Sequence, residues 1–415
     1  MIREGSGVES PQQRARRIID RLDELFAIGQ AAGTNRPGLG PGEQRAHDLV
    51  GEWMGAAGLE VQVDRAGNLF GRAVGAEPTR PEVWSGSHLD TPPDGGRFDG
   101  ALGVLAALEA ASAIASPGRA SRTIAVVAFR MEEGCRFGRG VFGSRAMLGR
   151  LERDEARLTD ADGVTLGEAF AALGLGELPS AGWLGTRPEA FVEPHIEQGP
   201  TLAEIGVPIG VVSSIAGMAG INLVFTGRRG HAGTVPMALR SDALAAASAF
   251  VGRAHDAARA LPGCVATVGR MAVSPGATNT IPGRVELFAD LRAPDAARLD
   301  ALVATALAGA RDAAEGASCH VEIEPRWRYE PEPMHPVPSA ALRRAISALG
   351  LEPVELPSGA GHDAAILAAA GIPTAMLFVR SDAGGTSHAP EEATGADAVG
   401  ACVEALEAAL RELAA

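Results

Sequence analysis

The chain has 415 residues with a net charge of −14 and a pI near 5.2, and 46% of its residues are hydrophobic. This length suits two domains or one domain with an insertion, and the acidic charge argues against nucleic acid and an anionic membrane as partners. All 37 basic residues are arginine, which excludes Schiff-base lysines and a Walker-type phosphate loop. The four scattered cysteines indicate reduced thiols, and neither a signal-peptide core nor an apolar run of about 18 residues is present, so we expect a cytoplasmic protein outside any membrane.

The first 213 residues alternate between helical and strand patterns. The run TIAVVAFR at residues 123–130 is almost uniformly apolar, as in a buried parallel strand, and Glu132 and Glu133 follow its carboxyl end. Residues 151–190 are acidic and rich in alanine, which predicts helix. The other elements predicted here are helices over Pro11–Ala32, Pro41–Ala57 and Ala101–Ala115 and strands over Leu59–Val63, Asn68–Ala73 and Val83–Ser87. The segment Phe191–Gln198 supplies a histidine and two glutamates.

A different pattern occupies residues 214–326. Its predicted order is strand, helix, strand, strand, helix, strand, which is the ferredoxin-like βαββαβ arrangement. The α/β pattern resumes afterwards, so we predict an α/β fold in which residues 1–213 and 327–415 form one domain and residues 214–326 form a smaller inserted domain. The elements predicted from residue 214 onward are strands over Ile221–Thr226, Val265–Val273, Arg284–Arg292, Cys319–Glu324 and Thr374–Val379 and helices over Ser241–Ala260, Asp295–Glu315, Ala340–Gly350 and Asp397–Leu413.

The stretch GSHLDTPPDGGRFDGALG at residues 86–103 holds metal-ligand residue types in a loop rich in glycine and proline. His88 and Asp99 are candidate ligands of zinc, manganese or cobalt, which bind imidazole and carboxylate. Asp99 is suited to bridge two ions because its neighbours fix its direction, and Asp90 is suited to hold the second nitrogen of His88 as an outer-shell partner. A lone loop histidine is usually a surface residue, so this interpretation requires that further ligands meet the loop.

The pair Glu132 and Glu133 offers a complementary chemistry. Two adjacent carboxylates repel each other, and a cation relieves that repulsion. One of them can bind metal while the other takes a proton from water. The alternative is a solvated turn, which is the usual role of such a pair in isolation.

Seven segments that occur in a fixed order carry a specific resemblance. They are GSHLDTPPDGGRFDGALGVLAALEA, EEGCRFGRGVFGSRAMLG, EPHIEQGPTLAEIGVPIGVV, GHAGTVPMALRSDALAAA, GATNTIPGRVELFADLR, SGAGHDA and GGTSHAPEE. Together they resemble the dinuclear metallo-aminoacylase and carboxypeptidase superfamily, in particular its hydantoinase/carbamoylase branch of N-carbamoyl-L-amino acid hydrolases, β-ureidopropionases and allantoate amidohydrolases. This resemblance implies a metallopeptidase-like mixed-sheet catalytic domain, with the inserted domain serving as a lid and in dimerisation.

The resemblance implies two divalent metal ions per subunit, of zinc, manganese, cobalt or nickel. The implied ligands are His88, Asp99 and His195 for one ion and Asp99, Glu133 and His388 for the other, with Asp99 as the bridge. Glu132 matches the general base of the superfamily. His195, in the motif HIEQG, is what resembles the amidohydrolase branch, because relatives outside the branch carry an acidic residue at that ligand.

The resemblance also implies substrate contacts, some of them from the inserted domain. His231, Asn279 and Arg292 match residues that contact substrate, and in homodimers of this branch they reach the active site of the partner subunit. By its strand pattern alone, Arg292 lies on the less apolar face, where it is either a solvent-exposed arginine or a clamp for a carboxylate, whose shape its guanidinium fits. The remaining implied contacts are Gln198, Gly359 and Ala360.

We therefore expect hydrolysis of the carbamoyl C–N bond of an N-carbamoyl-L-amino acid to the amino acid, ammonia and carbon dioxide. Glu132 is expected to act as base and then as proton donor, His231 to stabilise the oxyanion, and Arg292 with Asn279 to hold the substrate carboxylate. Allantoate amidohydrolase shares every ligand and is the nearest alternative. An aminoacylase or dipeptidase, or a non-catalytic homologue that serves as a scaffold, is a more distant one.

Overall fold

The computed structural model describes residues 10–30, 36–115 and 120–415. They divide into two compact units. Unit 1 comprises the described residues up to Ser213 together with Met334–Leu356 and His362–Ala415, and unit 2 comprises Ser214–Pro333 and Pro357–Gly361. Within the described ranges, no helix combines the length and the apolar character needed to cross a membrane.

Most helices lie where the sequence predicts them, with ends that differ by a few residues. The first begins with a capping box, in which Ser10 Oγ accepts a hydrogen bond from the Gln13 N–H and Gln13 Oε1 accepts one from the Ser10 N–H. Its last two predicted residues lie outside the described residues. The helices are α1 (Pro11–Gln30), α2 (Pro41–Ala56), α3 (Ala101–Ile114), α4 (Phe142–Met147), α5 (Leu166–Ala172), α6 (Thr201–Glu204), α7 (Ala243–Arg259), α8 (Ala296–Gly316), α9 (Pro336–Ala348), α10 (Asp363–Ala368) and α11 (Ala396–Leu413).

The prediction of helix over residues 151–190 is wrong for most of that segment. Only the 3-10 turn Glu155–Arg157 and α5 are helical there. Gly163, Gly174 and Gly176 adopt positive φ angles in this segment. Such residues end helices readily, and their effect outweighs the helical propensity of the alanines.

The strands belong to both units, and those of unit 1 form a mixed sheet. They are β1 (Glu60–Val63), β2 (Leu69–Ala73), β3 (Val83–His88), β4 (Ile124–Phe129), β5 (Ala190–Ile196), β6 (Ile209–Ile215), β7 (Gly217–Thr226), β8 (Gly230–His231), β9 (Val265–Ser274), β10 (Thr280–Ile281), β11 (Arg284–Ala293), β12 (His320–Tyr329), β13 (Glu332–Pro333), β14 (Glu355–Ser358) and β15 (Thr374–Val379). The strands of unit 1 follow the order β1-β2-β4-β3-β5-β15-β6. This confirms the α/β class with a mixed sheet.

Four strands of this sheet, β4, β3, β5 and β15, run parallel to one another. Every residue in them is buried, because helices cover the sheet, and this explains the continuous apolar sequences of β4 and β15. The core of unit 1 gathers around α3, of which almost every residue is buried. The carboxyl ends of the parallel strands share one edge of the sheet, where α/β proteins usually carry their chemistry.

Unit 2 contains an antiparallel sheet with the order β12-β7-β11-β9. With α7 after β7 and α8 after β11, this is the order of a ferredoxin-like βαββαβ unit. Along β11, Val285, Leu287 and Leu291 are fully buried against α7 and α8, while Phe288 and Arg292 are only partly buried. The alternation that the sequence predicts for this strand is therefore confirmed.

Candidate metal and active site

The edge of the parallel strands in unit 1 collects five of the residues that the sequence singles out. His88 is the last residue of β3, and His195 is the last but one of β5. Glu132 and Glu133 follow the end of β4, and His388 lies in the loop after β15. Because parallel strands end at the same edge, these side chains meet although they are up to 300 positions apart in sequence.

Asp99 lies at the centre of this group. Its Oδ1 is 3.1 Å from His195 Nε2 and 3.6 Å from His88 Nε2, and its Oδ2 is 3.2 Å from His388 Nε2. Each oxygen of one carboxylate therefore faces a different set of imidazoles. Burial alone would raise the pKa of the Asp99 carboxyl, but the three histidines outweigh burial and hold that pKa well below its usual range.

Glu132 and Glu133 complete the two sets. Glu133 Oε1 is 3.3 Å from His388 Nε2, and Glu132 Oε2 is 4.0 Å from His88 Nε2. Burial raises the pKa of the Glu132 carboxyl well above its usual range, and the opposing attraction of His88 does not cancel this rise. A raised proton affinity is what a general base for water requires.

The donor atoms form groups that could each hold a metal ion. His88, Asp99 and His195 form one group with ligand atoms within 4.8 Å of one another, and Asp99, Glu133 and His388 form another. A third group, of His88, Glu132 and Glu133, overlaps both. His195 Nδ1 lies 2.9 Å from the Ile196 carbonyl, which can only accept, so the proton of a neutral ring sits on Nδ1 and the Nε2 lone pair faces the Asp99 carboxylate. Buried Nε2 has no hydrogen-bond partner among the described residues. A positive charge between these two acceptors relieves their contact: either a proton on Nε2, since burial alone would lower the pKa of His195 but contact with Asp99 raises it, or a bound metal ion.

Asp90 connects His88 to the acidic pair. His88 Nδ1 is 3.3 Å from Asp90 Oδ1 and 3.1 Å from the Asp90 carbonyl. The same carboxylate accepts hydrogen bonds from the N–H groups of Glu132 at 3.0 Å and Glu133 at 3.1 Å. One fully buried side chain therefore orients the imidazole of one loop and the backbone that carries the carboxylates of another.

Gln198 also lies in this group. Its Nε2 donates to Asp99 Oδ2 at 2.8 Å, and its backbone N–H donates to Ser381 Oγ at 3.1 Å. Gln198 has a backbone φ of +57°, which is uncommon for residues other than glycine and asparagine. This backbone conformation directs the amide at the carboxylate that both groups of imidazoles share.

The predicted substrate contacts in unit 2 form two pairs. His231 pairs with Thr280 across the β8–β10 ladder, and the Ala232 N–H donates to the carbonyl of Asn279, so His231 and Asn279 lie side by side on exposed backbone. Arg292 donates to the carbonyl of Gly359 at 2.8 Å. Ala360 is held next to Gly359 by Ser358, whose Oγ accepts from the Ala360 N–H.

Arg292 has a further partner that the sequence did not indicate. Its Nε and one terminal nitrogen donate to the two carboxylate oxygens of Asp290, both at 2.9 Å. Asp290 lies two residues earlier on the same face of β11. In the described residues these bonds and the one to Gly359 leave a second N–H on each terminal nitrogen of Arg292, so a further anion can still be bound.

Glu193 and Glu392 are buried carboxylates near the candidate ligands that the sequence analysis does not single out. Glu193 accepts hydrogen bonds from Ser87 Oγ at 2.7 Å and from the Ala364 N–H at 2.8 Å. It precedes His195 by two positions on β5 and so shares its face, a spacing that could have drawn attention to it. Glu392 lies in an irregular loop, where no periodicity indicates which side chains point inward.

Gly100 allows His88 to approach the backbone closely. A Cβ built on Gly100, which has a φ of +62°, would lie 2.4 Å from Cε1 of the imidazole. We expect Gly100→Ala to lower the free energy of unfolding by about 1–3 kcal/mol through backbone strain and to weaken metal binding as well, because the ring is displaced. Denaturant unfolding and cobalt titration measure the two effects.

Gly163→Ala is the matched control for this substitution. Gly163 also has a positive φ, of +81°, but a Cβ there meets nothing within 4 Å. It should therefore share the backbone strain and leave metal binding unchanged. Equal metal affinity in the two variants would contradict the role assigned to Gly100.

Comparison with known proteins gives a consistent result. The sequence model of Peptidase family M20/M25/M40 matches residues 84–412. The chain is 41% identical to an N-carbamoyl-L-amino acid amidohydrolase of Geobacillus stearothermophilus over 91% of this chain and 93% of that protein. It is 34% identical to a probable allantoate deiminase of Oryza sativa subsp. japonica over 93% of this chain and 86% of that protein.

Solved structures show the same likeness over the whole chain. An amidase of the hydantoinase/carbamoylase family from Burkholderia multivorans has a TM-score of 0.89 and 34% identity, and the match covers 96% of this chain and 98% of that one. A second such amidase, from Burkholderia ambifaria, has a TM-score of 0.86 and 33% identity, covering 97% and 98%. The chain belongs to peptidase family M20/M25/M40, in its hydantoinase/carbamoylase branch.

Proposed function

We propose that this protein is a metal-dependent amidohydrolase that cleaves the carbamoyl C–N bond of N-carbamoyl-L-amino acids. The observation that carries the proposal is the Asp99 carboxylate, whose two oxygens face two separate groups of imidazole and carboxylate donors, with buried Glu132 beside one of them. The amidohydrolase of Geobacillus stearothermophilus, 41% identical, supports this choice of substrate.

The family is metal-dependent, and two of the donor groups, which share Asp99, support a centre of two divalent ions. His88, Asp99 and His195 would hold one ion, and Asp99, Glu133 and His388 the other. Zinc, manganese, cobalt and nickel all accept such imidazole and carboxylate sets. When bound, such ions polarise a carbonyl oxygen and lower the pKa of a coordinated water.

Glu132 moves the proton in this proposal. Its Oε atoms take a proton from the attacking water and return it to the nitrogen that leaves the carbamoyl carbon, so the carboxylate is regenerated in each cycle. One water is consumed, and the products are the amino acid, ammonia and carbon dioxide. Burial raises the pKa of the Glu132 carboxyl, which favours the first of these transfers.

Substrate recognition is assigned to the residues that the sequence resemblance singles out. Arg292, aligned by Asp290, would bind the α-carboxylate with its remaining N–H groups, helped by Asn279. His231 would donate to the oxyanion that forms as the carbonyl is attacked. Gln198, Gly359 and Ala360 would line the substrate position.

A homodimer accounts best for the exposed segment that follows His231. Met237 and Leu239 are 77% and 61% exposed. Neighbouring exposed apolar side chains of this size mark interaction surfaces. We assign this segment of unit 2 to the dimer contact and His231, Asn279 and Arg292 to the active site of the partner subunit.

Mixed dimers test this arrangement. Glu132→Gln chains and Arg292→Ala chains are each expected to be nearly inactive alone. When equal amounts are unfolded and refolded together, about one quarter of the wild-type activity should appear, because half of the sites in mixed dimers combine intact Glu132 with intact Arg292. A mixture no more active than its components would show that each site uses one chain only.

Allantoate hydrolysis is the second candidate, favoured by the 34% identity to a probable allantoate deiminase. The two functions are separated by ammonia release from N-carbamoyl-L-methionine and from allantoate after chelator treatment and reloading with manganese, cobalt or zinc. Faster release from N-carbamoyl-L-methionine supports the proposal, and faster release from allantoate replaces it. Absence of release from both substrates with every metal would overturn the assignment as an amidohydrolase of this kind.

A further inference from the structure

Glu392 uses both of its carboxylate oxygens although it is buried, with 3% of its surface exposed. Oε2 accepts hydrogen bonds from the Phe98 N–H at 2.6 Å and the Asp99 N–H at 3.0 Å. Oε1 accepts one from Ser387 Oγ at 3.0 Å. The side chain therefore spans two loops that lie almost 300 positions apart in sequence.

Each of these loops carries one ligand of the group formed by Asp99, Glu133 and His388. Glu392 holds the backbone N–H of Asp99 itself, and it holds Ser387, the residue directly before His388. Ser387 Oγ is also 3.3 Å from Asp99 Oδ2, the oxygen that faces His388. The contacts of Glu392 thus restrain both residues at the place where Asp99 lies close to His388.

The backbone of both loops fits the position of the Glu392 carboxylate. A Cβ built on Gly96 would lie 2.4 Å from Glu392 Oε2, so glycine at this position leaves the space that the carboxylate fills. His388 has a φ of +56°, a conformation that a non-glycine residue keeps only when its surroundings hold it. Ser387, bound to Glu392, is the nearest such restraint.

The other group of donors has a different support. His88 belongs to β3 and His195 to β5, and both strands are buried and paired within the sheet. His388, in contrast, lies in a loop, and half of its side chain is exposed. Loss of the hydrogen bonds of Glu392 should therefore displace Asp99 Oδ2 and His388 more than it displaces Asp99 Oδ1, His88 and His195.

We propose that Glu392 is a positioning residue that fixes Asp99 and His388 relative to each other and so sets the affinity for the ion that Asp99, Glu133 and His388 would hold. The proposal rests on the two-ion centre of the proposed function. It assigns Glu392 no contact with substrate. Outer-shell partners of this kind typically contribute about 10–100-fold to metal affinity.

Cobalt titration of the chelator-treated full chain tests the proposal. Wild type should bind two ions per chain, followed by visible absorption and by metal analysis. Glu392→Ala should bind the first ion as wild type does and the second about 10–100-fold more weakly, because the loops lose their tie. Glu392→Gln should recover affinity to within about threefold of wild type, since its carbonyl can accept from both N–H groups and its amide can donate to Ser387 Oγ.

Asp242→Ala is the matched control. Asp242 Oδ1 also accepts two backbone hydrogen bonds, from Leu244 at 3.0 Å and Ala245 at 3.2 Å, but it caps α7 in unit 2. This variant should lose stability and keep both metal affinities. Circular dichroism establishes that each variant is folded before it is titrated.

Two results would overturn the proposal. One is wild-type affinity for both ions in Glu392→Ala, and the other is a failure of Glu392→Gln to recover the second ion, which would assign the effect to charge instead of position. The readout is metal binding, so it holds whether or not the wild type hydrolyses a ureido substrate. A wild type that binds two ions without turnover would contradict the proposed function and leave the role of Glu392 to be decided by the titration.

Discussion

Glu132→Gln is expected to lower kcat by about 10²–10⁴-fold, the contribution typical of a general base, while both metal ions stay bound. Glutamine has the size and shape of the glutamate but cannot take up the proton. Glu132 Oε2 is 4.0 Å from His88 Nε2, and Glu132 also forms a group of possible metal donors with His88 and Glu133, so metal analysis decides between a proton-transfer role and a ligand role. Steady-state turnover of N-carbamoyl-L-methionine together with metal analysis measures both parts of the expectation.

Glu168→Gln is the control for this substitution. Glu168 belongs to the capping box at the start of α5, where its side chain accepts from the Thr165 N–H, and a glutamine carbonyl can accept the same bond. Activity should be unchanged. Retained activity in Glu132→Gln would exclude the general-base role, and loss of an ion in that variant would make Glu132 a ligand instead.

The parts of the fold with strong local patterns were predictable from the sequence. The apolar run at residues 123–130 lies in a buried parallel strand, because a strand covered by helices on both faces has no solvent face to mark with polar residues. The alternation along residues 284–292 likewise identifies the face of β11 that packs on α7 and α8. In both cases the residues of a single element are enough to show which side chains are buried.

The grouping of the candidate ligands depended on more than pattern. Strand ends indicated that His88 and Glu133 lie at one edge, but the resemblance to a known superfamily was needed to add His388, which lies in a loop without periodicity. The structure brings these residues into contact distance around Asp99. Their roles as ligands stay a proposal that the metal titrations decide.

Contacts between distant loops could not be predicted. Glu392 contacts a backbone N–H almost 300 positions away, which sequence spacing does not identify. Asp290 lies only two residues from Arg292 on β11, but their contact depends on an arginine rotamer that the strand pattern does not specify. The prediction of helix over residues 151–190 was wrong because it rested on composition alone. Average composition favoured helix, whereas individual glycines with positive φ set where the chain turns.

Asp99→Asn is expected to abolish the binding of both ions. Asp99 Oδ1 faces His88 and His195, and Oδ2 faces His388, so the substitution replaces one of two acceptor oxygens by an amide nitrogen and removes the charge that both groups share. Each affinity should fall by more than the roughly 10–100-fold that an outer-shell partner contributes, and turnover should be lost with it. Metal analysis after equilibrium dialysis, alongside turnover, measures these losses.

Asp94→Asn supplies the comparison within the same loop. Asp94 is exposed and has a φ of +55°, a conformation that asparagine tolerates, so the variant should keep both ions and full activity.

The number of ions that Asp99→Asn loses then separates a bridging from a terminal role. If only the ion assigned to Asp99, Glu133 and His388 is lost, Asp99 is a terminal ligand of that ion. Its Oδ1, which faces His88 and His195, then binds no metal. If both are lost while Glu392→Ala loses one, the bridge is Asp99 and the loop tie through Glu392 serves only one of its two sides.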